Sequence, residues 1–152
     1  KKVKTNVIIA VYSILANTKY GEMSDDAKIK MWKIMRKTKP IAQHFEDDSK
    51  DCADKMKPTE DFFDRLRKWQ EYNRLHQDGK PTIDIMTKAE HDAFTDEYNK
   101  YNQLVGKGMK ESSEREVSVD FDPIDDDALL ALMESNDWTL GQVAVAADFI
   151  CE

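Results

Sequence analysis

Apolar residues in this chain of 152 recur three and four positions apart through most of its length, and that spacing commits the fold to helices. Side chains at i, i+3, i+4 and i+7 share one side of a 3.6-residue turn, so each such run has one face to bury. Val7, Ile8, Val11, Ile14 and Leu15 follow the pattern after Thr5 and Asn6, whose side-chain oxygens can accept from the free N–H groups of a first turn. A first helix is predicted from there to about Asn17. Beyond Gly21, Ser24 followed by Asp25 and Asp26 predicts the start of a long helix, because carboxylates complement the positive end of the helix dipole. Met31, Ile34, Ile41, Phe45 and Cys52 then trace an imperfect seam, and Pro40, which has no N–H to donate, predicts a kink or division near Lys39.

Thr59, ahead of Glu60 and Asp61, is the expected cap of a third helix carrying Phe62, Phe63, Leu66, Trp69 and Leu75 and ending before Asp78 and Gly79. Thr82 to Met86 alternates Ile83 and Ile85 with polar residues, as a short strand does. Thr87 and Glu90 form a capping box for a fourth helix with His91, Phe94, Tyr98, Tyr101 and Val105 on one face and Gly106 as its stop. A polar connector follows. Val117, Val119 and Phe121 predict a second strand, expected to pair with Ile83 to Ile85, and two short helices complete the chain, from about Asp125 to Glu134 and from Thr139 to Ile150. The expected fold is mainly α: a helical bundle with one long kinked helix, a small two-stranded β element and a C-terminal helical pair. Residues 1–110 are the expected helical domain, and 111–152 an acidic segment packed on it or on a neighbouring subunit.

Phe, Ile, Leu and Val together number 32 of 152 residues, so the core is thin for a chain that is 35% charged. The charge is also segregated. Residues 1–39 hold ten Lys or Arg and three acids, a net +7; residues 40–110 hold twelve and fifteen, a net −3; residues 111–152 hold one and twelve, a net −11. Lys33, Arg36 and Lys37 crowd the long helix beside Trp32, whereas Asp120, Asp122, Asp125, Asp126 and Asp127 crowd the last segment. Complementary patches of this kind steer association and set orientation. With Trp69 and Trp138, these residues are the expected interface set; two arrangements stand open, one in which both poles lie together within one monomer or simply face solvent, and one in which the end of one copy meets the start of another.

Chemistry has little to stand on. The acidic run fails the calcium-loop pattern, since Ile124 occupies a ligand position and no glycine supplies the turn. His44, Asp48 and Cys52 share a helical face and could approach a metal, but an amphipathic flank is the simpler reading. His91 has no nucleophile motif near it and reads as a hydrogen-bonded, partly buried imidazole. No enzyme activity, metal or cofactor is expected. The basic helix from Lys28 to Lys39 could grip phosphates, but the acidic segment competes with nucleic acid. Two cysteines point to a reducing interior rather than a disulfide scaffold. The opening KKVKTNVIIAVYSILAN imitates a signal peptide, yet its apolar run is far short of the ~20 residues that cross a bilayer, so a buried first helix is expected and no membrane.

The order of elements, carried by NVIIAVYSILA, SDDAKIKMWKIM, REVSVDFDPI and DDDALLALM, resembles the small helical proteins encoded in the structural-gene modules of tailed bacteriophages. That resemblance implies a virion or assembly role, as a connector, neck or tail-ring subunit, in the virion or the host cytoplasm, without catalytic residues. The expected function is therefore a non-enzymatic subunit that contacts other protein subunits, with a homo-oligomer or ring in a larger assembly. The alternative is a phage-encoded adaptor or inhibitor whose acidic segment mimics nucleic acid.

Overall fold

The computed structural model describes residues 1–151. In chain order the elements are β1 (Lys2–Lys4), α1 (Thr5–Ala16), α2 (Asp25–Lys55), α3 (Phe62–Gln77), α4 (Lys88–Glu114), β2 (Glu116–Ser118), α5 (Asp126–Ser135) and α6 (Leu140–Ile150). The fold is mainly α, with a long second helix, a two-stranded antiparallel sheet and a C-terminal helical pair. Two units emerge, one of residues 1–48 with 111–152 and one of residues 49–110.

In the first unit, α1 buries Ile8, Val11 and Leu15, and α2 contributes Ala27, Met31 and Ile34 to the same core. Val119 and Ile124, then Ala128 and Leu132 of α5 and Phe149 and Ile150 of α6, complete it. Their one-sided spacing is the pattern seen in the sequence, and full burial of each large side chain is worth about 1.5–3 kcal/mol. β1 pairs with β2 in the register Val3 to Val117, and the ladder is extended by Thr5 N–H to the Arg115 carbonyl and Val119 N–H to the Lys1 carbonyl, both 2.9 Å. The turn before α2 needs Gly21, which has φ +56° and lies so close to Ser135 that no Cβ fits. Next to it Asn136 accepts from Lys19 N–H and donates to the Lys19 carbonyl, both at 2.8 Å, locking the turn to the end of α5.

The second unit has an aromatic core. Phe62 is fully buried, with its ring 4.6 Å from Tyr101, 5.3 Å from Phe94 and 5.6 Å from Phe63 between centroids. Arg65 reaches Glu97 with two guanidinium nitrogens, at 2.6 and 2.9 Å, tying α3 to α4. The Tyr101 hydroxyl donates to the Ala53 carbonyl at 2.7 Å. Ala53 lies in the last turn of α2, where carbonyls lack a helical partner, so this side chain caps the helix from another element.

Several local expectations hold. Ser24 accepts from Ala27 N–H, Thr87 and Glu90 form their reciprocal box, and Thr139 caps α6 with Gln142. Others need correction. Helix α2 runs through Pro40 without dividing, and the proline is exposed. Gly106 does not stop α4, which runs on to Glu114 and absorbs the expected connector. Thr82 to Met86 is a turn, with the Thr82 carbonyl accepting from Ile85 and Met86, so the strand partner of Val117 is Val3 instead. Thr5 caps nothing: its hydroxyl donates to the Arg115 carbonyl at 2.8 Å, and Lys4 holds the N-cap position of α1. Asp61, not Thr59, stands at the N-cap of α3.

Candidate interaction surface

Helix α2 buries Ala27, Met31, Ile34 and Thr38. At about 100° per residue, the positions opposite that stripe are Ile29, Trp32, Lys33 and Arg36. All four are exposed, Ile29 and Trp32 by more than half, and the Arg36 guanidinium stacks 5.3 Å over the Trp32 ring. Helix α5 repeats the arrangement with the other sign. It buries Ala128 and Leu132, which leaves Asp126, Leu130, Met133 and Glu134 on its outward face, with Leu130 53% exposed and Asp127 beside them. Each helix thus shows solvent a face with two large apolar side chains: on α5 acids flank the pair, whereas on α2 Lys33 and Arg36 follow it and exposed Asp25 and Asp26 precede it by one turn.

Within the first unit the two charge poles touch. Lys37 donates to the Asp120 carbonyl, and Lys33, Lys37, Asp120, Phe121 and Asp122 line one shallow depression. The Lys1 backbone nitrogen lies 2.9 Å from Asp120 Oδ1. Asp125 accepts from Ala128 N–H at 2.8 Å as the N-cap of α5, so its carboxylate has a structural task. Among the described residues no acid lies within ion-pair distance of Lys33 or Arg36, and no base within that distance of Asp122, Asp126, Asp127 or Glu134.

The tryptophans separate. Trp32 alone is exposed; Trp138 packs on the core of the first unit, and Trp69 packs on that of the second, its indole N–H donating to Thr95 Oγ1 at 2.9 Å. Trp69 therefore belongs to packing rather than to the outward surface. His91 is held as the sequence implied, with Nε2 2.7 Å from Asn73 Oδ1 and its ring 4.3 Å from that of Tyr72. His44 Nε2 is 3.4 Å from Asp48, and among the described residues no three His, Cys, Asp or Glu side chains converge as metal ligands. No described helix is long and apolar enough to cross a membrane.

Sequence reasoning missed Ile29, Leu130 and Met133. The signal was present: each sits about half a turn from the buried stripe of its helix, where a polar residue is the rule. It also missed the cleft of about 280 Å³ in the first unit, where Pro40, Ile41, Phe45 and Val117 form apolar walls beside His44 and Arg115. That cleft depends on β2 returning to α2, a tertiary event without a local signature. No protein-family model, curated protein or solved structure matches the chain.

Proposed function

We propose that this protein is a non-enzymatic structural or assembly subunit of a tailed-phage particle, working through protein–protein contacts in the virion or the host cytoplasm. The observation that carries the reading is the pair of outward helix faces. A lone exposed leucine is ordinary, but Ile29 with Trp32 on α2 and Leu130 with Met133 on α5 are paired at one-turn spacing. Aromatic and Arg side chains such as Trp32 and Arg36 are also the types that anchor interfaces. The layout resemblance supplies the setting. Size exclusion with light scattering, run on the chain alone and mixed with purified proteins of the particle, tests the proposal. A complex is expected in at least one of the two; a strict monomer that binds none of those proteins refutes it.

Exposed Asp122, Asp126 and Asp127, without ion pairs among the described residues, favour a second reading, an adaptor or inhibitor that mimics nucleic acid. Changing Asp122, Asp126 and Asp127 to Asn would then abolish binding to a nucleic-acid-handling host enzyme while helix content stays unchanged. Unaltered binding removes this reading.

A further inference from the structure

We propose that the outward face of α2 in one copy docks on the outward face of α5 in the next, so that the protein associates with itself head to tail. This rests on the reading of the chain as an assembly subunit and names the partner of its exposed faces as a second copy.

Three observations converge. Ile29 and Trp32 on α2 and Leu130 and Met133 on α5 are large apolar side chains at 38–53% exposure, a matched pair of apolar strips. Lys33 and Arg36 flank the C-terminal part of the first strip, which Asp25 and Asp26 precede, and Asp126 and Glu134 flank the second; among the described residues none of Lys33, Arg36, Asp126 and Glu134 has an intramolecular ion pair, so these bases and these acids are complementary and uncommitted. Finally, α2 and α5 pack their opposite sides into one core, through Met31, Ile34, Ala128 and Leu132. Faces turned away from a shared core cannot reach each other within one molecule. They can meet only between copies, and because the two surfaces differ, the contact is heterologous: it closes into a ring where the rotation permits and otherwise continues as a filament.

The strips are short beside a standard interface of about 1,200–2,000 Å², so the contact is of the weak, concentration-dependent kind, with orientation set by charge. Salt must oppose it, since the Debye length falls from about 30 Å at 0.01 M to about 8 Å at 0.15 M.

Charge reversal tests the pairing. One variant carries Lys33→Glu with Arg36→Glu. The other carries Met133→Lys with Glu134→Lys, placed in the last turn of α5 where cations suit the helix dipole and the fold is spared. Circular dichroism checks that both keep their helix content. Sedimentation equilibrium of the full chain at low salt is expected to show mass rising with concentration and falling when salt is added. Each variant alone is expected to associate at least about tenfold more weakly, because like charges then face each other. An equimolar mixture of the two folded variants is expected to recover association, since the native α5 face of the first meets the native α2 face of the second. A wild-type chain that stays monomeric, or variants that associate as it does, or a mixture that stays monomeric, each overturns the pairing. A monomeric wild type that still binds another particle protein sinks the self-pairing and leaves the assembly role standing.

Discussion

Replacing Tyr101 by Phe removes one oxygen atom and isolates a single interaction, the hydroxyl that closes the end of α2. The ring stays within the aromatic core beside Phe62, so packing is conserved. What changes is the Ala53 carbonyl, which accepts from the hydroxyl at 2.7 Å and, as a last-turn carbonyl, has no helical N–H four residues on within α2. A neutral hydrogen bond contributes about 0.5–1.5 kcal/mol net, and leaving a buried acceptor unmade costs about 1–3 kcal/mol. The site is only part-buried, so water reaches it in part, and a loss of about 1–2 kcal/mol is expected at neutral pH. For a chain of this size that lowers the melting temperature by about 2–8 °C. The pH dependence makes the test specific. Burial pushes the Tyr101 phenol above its ordinary value, with Cys52, Tyr98 and Asp54 adding to the shift. A group whose folded value is raised contributes stability that is fully present below the unfolded value, about 10, and lost as pH rises through the folded one. The stability gap between wild type and Tyr101→Phe, measured by urea unfolding under circular dichroism, is therefore expected to be constant from pH 7 to 9 and to close above 10. A gap of zero at pH 8, or one that persists unchanged at pH 11, refutes the capping role.

Gly106 and Gly108 lie one turn fraction apart in α4, yet Ala substitution separates them. Nothing surrounds a Cβ at Gly106, so Gly106→Ala should stabilise by about 0.5–1 kcal/mol, whereas at Gly108 a Cβ falls 3.1 Å from Cys52 Sγ, so Gly108→Ala gains less or loses; thermal melts of the two decide. Arg65 holds the Glu97 carboxyl below its usual range. A depressed carboxylate contributes stability present above its unfolded value, near 4.3, and lost as pH falls through the folded one, so Glu97→Gln should cost about 1 kcal/mol at pH 7 and flatten the acid limb of the stability profile. An acid limb identical to wild type counts against the pair.

Helices α5 and α6 were legible because cap, apolar period and stop agree within a dozen residues, as in Thr139 ahead of Leu140–Ile150. Helix α4 was legible only at its start. The capping box at Thr87 is a local hydrogen-bond exchange, but a glycine at an expected end carries no such information: inside a helix it costs about 1 kcal/mol, and the turns around Gly106 and Gly108 continue regardless. The strand partner was missed for another reason. Three residues, Lys2–Lys4, are too few to show a period of two, and their partner lies more than a hundred positions away, so only the folded core selects it. The outward surface was legible as charge types and not as positions. Period reveals which face a helix buries, and the outward residues follow only when that face is known, which is how Ile29 comes to stand with Trp32 on the outward side of α2 while Trp69 packs on the aromatic core.

The charge pattern changes meaning once the chain is folded. In sequence it runs from +7 over residues 1–39 to −11 over residues 111–152, which reads as a molecule with a positive start and a negative end. Yet the first unit holds both stretches. Counted by unit, residues 1–48 with 111–152 carry eleven Lys or Arg and eighteen Asp or Glu, the whole net charge of −7, while residues 49–110 carry twelve of each and are neutral. The poles are therefore not at opposite ends of anything; Lys37 already touches Asp120. Attraction between copies cannot then arise from a long molecular dipole. The proposed pairing of copies rests instead on the outward sides of α2 and α5, where Lys33, Arg36, Asp126 and Glu134 have no ion pair among the described residues. That is why two charges reversed at Lys33 and Arg36 should weaken association at least about tenfold, whereas reversing basic residues of the neutral unit, such as Lys68 or Lys88, should leave it intact.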